Sequence, residues 1–129
     1  MKGSEAPMLN DAAVVMCVAN IARSLVWYRD ALGFDVSFQY GEPTFYACLC
    51  LDNVSIHLIA QEQARRAAGQ GALCVFVSDV DALYADFIAR GANIPKPPQD
   101  YDYGMRDFIV NDPDGNQLTF GMSIVAYPS

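Results

Sequence analysis

V-A-N-I-A-R-S-L-V-W-Y-R-D-A-L, from Val18 to Leu32, is restated as V-S-D-V-D-A-L-Y-A-D-F-I-A-R, from Val77 to Arg90. Each stretch follows a short apolar run and precedes a glycine, Gly33 in the first case and Gly91 in the second. Asn20 and Asp79 are then equivalent, with an offset of 59 residues. A repeat of this length indicates two copies of one supersecondary unit sharing a core. Such a pairing makes a cleft, and clefts bind small molecules.

Working outward, each copy resolves into the same series of elements. Ala12 to Val18 reads as a strand. Asn20 can cap a helix because its side-chain oxygen accepts a first-turn amide. Ile21, Leu25, Tyr28 and Leu32 then share one helical face, and Gly33 can end the helix in the left-handed conformation. Asp35 to Tyr40, Phe45 to Leu51 and Val54 to Ala60 read as strands around turns at Gly41-Glu42-Pro43 and Asp52-Asn53. In the second copy Ala72 to Val77 is the first strand and Asp79 the cap. Val80, Leu83, Tyr84, Phe87 and Ile88 form the apolar helical face. Pro95, Pro97 and Pro98 restrict the next stretch to a sheet edge or a loop. Gly104 to Val110 and Gln117 to Met122 flank the turn Asp112-Pro113-Asp114-Gly115-Asn116. The order is β-α-β-β-β, twice, an α+β fold. The modules cover about residues 12–60 and 72–122 of one domain spanning 1–129. Residues 61–71 form a linker with room for one helical turn, and Met1 to Asn10 a polar arm.

Bulk properties narrow the function. The chain has 129 residues, 53 % of them hydrophobic and 18 % charged, enough for a core. A net charge of −7 with no basic stripe argues against nucleic acid and favours cationic ligands. Cys17, Cys48, Cys50 and Cys74 lie in apolar runs with no Cys-x-x-Cys array. They read as small buried hydrophobes in a reducing compartment, so cytoplasm is the expected location. No apolar run reaches the roughly 18 residues of a membrane span. Alternation turns Val54, Ile56 and Leu58 toward the helix, and Ser55 and His57 away from it. By the same rule Leu118 and Phe120 face the helix while Gln117 and Thr119 oppose them. The two first strands are apolar on both faces and read as buried on both.

The three pieces Ser24 to Phe34, Val77 to Tyr84 and Tyr103 to Gly121 together resemble the vicinal-oxygen-chelate superfamily. This superfamily contains glyoxalases, extradiol dioxygenases and bleomycin-resistance proteins. The resemblance spans Ala12 to Gly121. It implies paired modules with sheets curled into a U, and a homodimer with clefts completed across the interface. It also implies four metal-ligand positions, which in this chain look like Ala13, His57, Ala72 and Thr119. Two alanines have no lone pair to offer, and His57 is the only histidine. One ligand does not hold a divalent ion, for which catalytic sites use about three. The expectation is therefore no metal and no cofactor.

Aromatic side chains remain as the wall of the cleft. Phe38, Tyr40, Tyr46, Tyr101 and Tyr103, with His57, Arg106 and Thr119, are the candidate ligand contacts. Flat rings stack planar ligands and hold cations on their faces. Ordinary sheet packing is the competing explanation for each ring. Asp100, Asp102 and Asp107 lie among the second-module tyrosines, either as a solvated loop or as a cation receptor. The pattern looks most like the bleomycin-resistance type, a metal-independent binder that sequesters a planar, cationic compound. The alternative is a lyase, isomerase or dioxygenase of the superfamily with an atypical site. His57 would then be its one candidate base, against the simpler reading of a hydrogen-bonded cleft histidine.

Overall fold

Two side-chain oxygens start the two copies of the module. In the computed structural model, which describes residues 7–125, Asn20 accepts a hydrogen bond from the Arg23 amide and Asp79 from the Ala82 amide, both at 3.0 Å. The helices they open are α1 (Ile21–Leu32) and α3 (Val80–Ala89). Gly33 ends α1 at φ 79°, returning its amide to the Arg29 and Tyr28 carbonyls.

The first module comprises β1 (Val14–Val18), α1, β2 (Asp35–Tyr40), β3 (Tyr46–Leu51) and β4 (Val54–Ala60). One helical turn, α2 (Gln61–Ala64), opens the linker. The second module comprises β5 (Ala72–Phe76), α3, β6 (Gln99–Asp100), β7 (Met105–Asn111) and β8 (Gln117–Ser123). The architecture is α+β, with two tandem β-α-β-β-β modules and two mixed four-stranded sheets. The sheets run β1-β4-β3-β2 and β5-β8-β7-β6. In each, the first strand pairs in parallel with the last strand of its own module.

Differences from the sequence expectations are local. β1 begins at Val14, and β6 is only two residues long because Pro95, Pro97 and Pro98 cannot donate to a ladder. Residues 1–6 of the expected arm lie outside the described residues. The cysteines need a correction. Only Cys17 is buried; Cys48 and Cys50 are half-buried and Cys74 is exposed, because all four project from the helix-free sheet faces and only Cys17 is covered, by the linker, with its thiol 3.4 Å from the Arg66 carbonyl. The first strands are likewise covered on one side only, as Val15 and Phe76 are exposed.

The core lies on the helix side of both sheets. It joins Tyr28 and Phe34 of the first module to Phe87, Phe108 and Phe120 of the second. Edge-on ring contacts link Phe87 to Phe108 and Phe120 at 6.0 and 5.1 Å. A buried polar cluster ties the modules together. The Tyr28 hydroxyl donates to Asp112 Oδ2 at 2.8 Å, and Asn116 Nδ2 donates to the Cys17 carbonyl at 2.9 Å. Burial first, then the neighbouring Asp112, pushes the Tyr28 pKa far up, so this hydroxyl keeps its proton.

Candidate functional site

Period-two alternation leaves one face of each sheet free of helices. On the first sheet, pairing sets Val15, His57, Cys48 and Phe38 in one row across the strands. The next row holds Tyr46, Ile59 and Tyr40. On the second sheet Cys74, Thr119 and Ile109 make one row, and Phe76, Gly121 and Asp107 the next. These open faces carry large apolar groups in contact with solvent: Phe38 is 54 % exposed, Tyr103 61 % and Phe76 76 %.

Two stacked aromatic pairs stand on the open faces. Phe38 and Tyr40 lie 6.4 Å apart with planes 12° from parallel. Tyr101 and Tyr103 lie 5.2 Å apart at 4°. The second pair sits on a tight turn in which Gly104, at φ 88°, donates its amide to the Tyr101 carbonyl. Beneath it, the Tyr103 hydroxyl donates to Asp107 Oδ2 at 2.7 Å. Asp107 is 7 % exposed, and its Oδ1 takes no hydrogen bond among the described residues. Gly121 lies opposite Asp107, and a Cβ there would come within 2.9 Å of the Asp107 Cβ, so glycine lets the carboxylate lie flat on the sheet.

That bond, followed by desolvation, raises the Tyr103 pKa to about 12. A neutral partner at position 107 removes the bond and the charge. Asp107→Asn is therefore expected to bring Tyr103 ionisation back toward its usual value of 10.0. The difference titration of phenolate absorbance against Tyr103→Phe reads this directly.

On the first sheet the Tyr46 hydroxyl lies 2.8 Å from His57 Nδ1. Desolvation raises the Tyr46 pKa, with the Cys48 sulfur adding to the effect. Burial also raises the Cys48 thiol, so it stays protonated and is a poor nucleophile.

Not every sequence candidate reaches an open face. Arg106 is turned to the helix side, where it donates to Asp81 of α3 at 2.9 and 3.1 Å and to Asp100 at 3.0 Å. These contacts raise its pKa further. Exposed pairs of this kind are screened by solvent and contribute little to stability. Arg106→Gln is expected to leave ligand affinity within about twofold, since it alters only solvent-screened contacts on the helix side of the sheet; calorimetric titration of the variant checks this. Thr119 is half-buried between Cys74 and Ile109, while Ala13 and Ala72 are exposed at the outer edges of their sheets.

The four positions at which the superfamily resemblance implies metal ligands supply one imidazole, one hydroxyl and two methyl groups. The imidazole already shares Nδ1 with Tyr46. This donor set does not fit a divalent ion, which needs about three protein ligands.

Cys48, Phe76 and Ile109 join the open faces with no signal in the sequence that marks them as contacts, and of the acidic cluster Asp100, Asp102 and Asp107 it is Asp107 that lies in a row of the second face. The Tyr46–His57 pair could have been counted from the two-residue turn Asp52-Asn53. Pairing Leu51 with Val54 sets Cys48 opposite His57, with Tyr46 on the diagonal.

A family model described as Glyoxalase/Bleomycin resistance protein/Dioxygenase superfamily matches residues 12–120. No curated protein matches the chain. Solved structures do. A glyoxalase/bleomycin resistance protein/dioxygenase from Nocardioides is 18 % identical, with TM-score 0.76 over 98 % of this chain and 91 % of that one. The bleomycin-binding protein of bleomycin-producing Streptomyces verticillus, solved with copper(II)-bleomycin, is 23 % identical. Its TM-score is 0.73 over 89 % of this chain and 97 % of its own. A lactoylglutathione lyase from Agrobacterium tumefaciens is 17 % identical, with TM-score 0.69 over 91 % and 95 % of the two chains. At these identities the likeness concerns the fold.

Proposed function

The chain belongs to the Glyoxalase/Bleomycin resistance protein/Dioxygenase superfamily, and we propose that within it this protein sequesters a planar, cationic small molecule without converting it. The observation that carries this reading is the Tyr101–Tyr103 stack over a nearly buried carboxylate with one free oxygen. Ring faces attract cations and planar π-systems, and a desolvated carboxylate adds a charge-assisted hydrogen bond. A net charge of −7 draws cations toward the protein at longer range. The bleomycin-binding protein from Streptomyces verticillus shows that this fold can serve a binder.

We also propose that the protein works as a homodimer. Phe38, Tyr40, Phe76, Tyr103 and Ile109 are exposed on the helix-free faces of the single chain, and a second copy would cover them. No helix among the described residues is long and apolar enough to cross a membrane.

Calorimetric titration with 9-aminoacridine, ethidium and copper(II)-bleomycin tests the proposal, with a neutral anthracene as control. Saturable heat with the cations, none with the control and full recovery of unchanged ligand are expected. Absence of heat with every cation would end the sequestration reading.

One observation favours a second reading. The Tyr46–His57 contact is an imidazole held by an orienting hydroxyl, with an N–H able to donate a proton to a ligand oxygen, the minimal apparatus of general-acid catalysis. The lactoylglutathione lyase neighbour shares the fold. Turnover of the methylglyoxal–glutathione hemithioacetal by metal-free protein, lost in His57→Ala, would establish this reading in place of the first.

A further inference from the structure

His57 occupies a position where the superfamily resemblance implies a metal ligand, yet its ring is held by a phenol. We propose that Tyr46 is a positioning residue: it fixes the neutral imidazole of His57 with the proton on Nε2, so the ligand must present a hydrogen-bond acceptor oxygen, a carbonyl or carboxylate, to the first sheet. This rests on the sequestration reading and adds a second recognition element, of opposite sense to Asp107.

The geometry begins with the sheet. Cys48 lies directly opposite His57, and Tyr46 lies one row along, opposite Ile59. The two rings sit 5.5 Å apart at 80°, so the tyrosine meets the imidazole edge-on. That brings the hydroxyl to 2.8 Å from Nδ1. Nε2 has no partner among the described residues.

The direction of the proton follows from acid–base chemistry. A phenol is a better donor than a neutral imidazole N–H, and an imidazole nitrogen is a better acceptor than a phenol oxygen. Tyr46 therefore donates and Nδ1 accepts. A neutral ring with a lone pair at Nδ1 carries its proton at Nε2.

The consequence is selectivity. A half-buried N–H covered by a ligand without an acceptor loses its water and gains nothing in return. Sites built around such a donor discriminate by penalising ligands that leave it unpaired. The Cys48 thiol beside it does not substitute, being a weak acceptor.

The sole histidine makes the test unambiguous. Full-length protein labelled with 15N-histidine is examined by long-range 1H–15N correlation in mildly alkaline solution. The wild type should show a protonated Nε2 and an unprotonated Nδ1. In Tyr46→Phe the two nitrogen shifts should move toward the average of a tautomer mixture. A proton on Nδ1 in the wild type, or identical spectra for the two proteins, overturns the assignment. If the variant fails to fold, neutral free histidine, a tautomer mixture with a minor Nδ1–H fraction, is the reference: wild-type shifts at the pure Nε2–H limit support the assignment, and shifts matching the free mixture overturn it. For ligand choice, 9-aminoacridine is compared with 9-aminoacridine-2-carboxamide, which adds one carbonyl. The wild type should prefer the carboxamide by about fivefold, the worth of one neutral hydrogen bond. The preference should vanish in His57→Ala. Equal binding of both compounds by the wild type overturns the acceptor requirement. If neither compound binds while the wild-type nitrogen shifts differ from those of Tyr46→Phe as expected, the sequestration reading fails and the role of Tyr46 stands.

Discussion

Replacing Asp112 with alanine is expected to destabilise the protein by about 3–5 kcal/mol, since several buried neutral donors lose their acceptor at once and each orphaned donor costs about 1–3 kcal/mol before relaxation. For a chain of this size that lowers the thermal midpoint by roughly 10–20 °C. Asp112 is buried and accepts four hydrogen bonds. Oδ1 takes the Asp114 and Asn116 amides, both at 2.9 Å, and closes the turn. Oδ2 takes the Tyr28 hydroxyl at 2.8 Å and Asn116 Nδ2 at 2.9 Å. Asn116 passes the connection on, accepting the Gly71 amide at 2.7 Å and donating to the Cys17 carbonyl. One carboxylate thus anchors α1, β1 and the linker to the second module. Alanine orphans these donors where water has little access, and an orphaned buried donor costs more than its hydrogen bond contributes. Tyr28→Phe removes one of the four bonds and is expected to cost about 1–2 kcal/mol. Thermal and urea melts of both variants give the comparison. A loss below 1 kcal/mol for Asp112→Ala would show that the apolar core alone holds the modules together.

The parts of this fold that could be read from the chain are those with a local cause. Asn20 and Asp79 are legible because an N-cap needs only a side-chain oxygen three residues before an amide. His57 and Thr119 are legible because polar residues alternate with buried ones at Ile56, Leu58, Leu118 and Phe120. Alternation is silent where both faces carry the same chemistry. β1 and β5 are apolar throughout, so exposed Val15, Cys74 and Phe76 could not be told from buried Met16, Val18 and Val75. Arg106 and Asp107 are both charged, and the sequence alone cannot say which faces the helix. The Gly104 turn and the pairing of Asp107 with Gly121 decide it. The linker hid its packing altogether. Gly69, at φ 84°, donates its amide to the Cys17 carbonyl and lies against the Asp114 carbonyl, where any Cβ would collide. Contacts so distant in sequence follow only from how the modules dock.

Asp107→Asn is expected to weaken binding of planar cations such as 9-aminoacridine by about tenfold, or roughly 1.4 kcal/mol, the worth of a charge-assisted hydrogen bond over a neutral one. The substitution keeps the shape of the side chain, so its fit against Gly121 is preserved. It removes the charge at the one carboxylate that is both shielded from water and free at an oxygen, among the described residues on the open faces. Asp100, by contrast, is exposed and paired with Arg106, and contributes little to a ligand beyond it. Binding of the cation in both proteins is followed by calorimetry at 0.15 M and 0.5 M salt. Long-range attraction from the net charge of −7 is screened at the higher salt, whereas a contact with a shielded carboxylate survives. The difference between the two proteins should therefore persist at 0.5 M while both affinities fall. If the difference disappears with salt, the cation is held by the general field of an acidic protein and not by Asp107. If it persists but ring stacking is the larger contribution, Tyr103→Ala will cost at least as much as Asp107→Asn, because it removes both the ring face and the bond that orients the carboxylate.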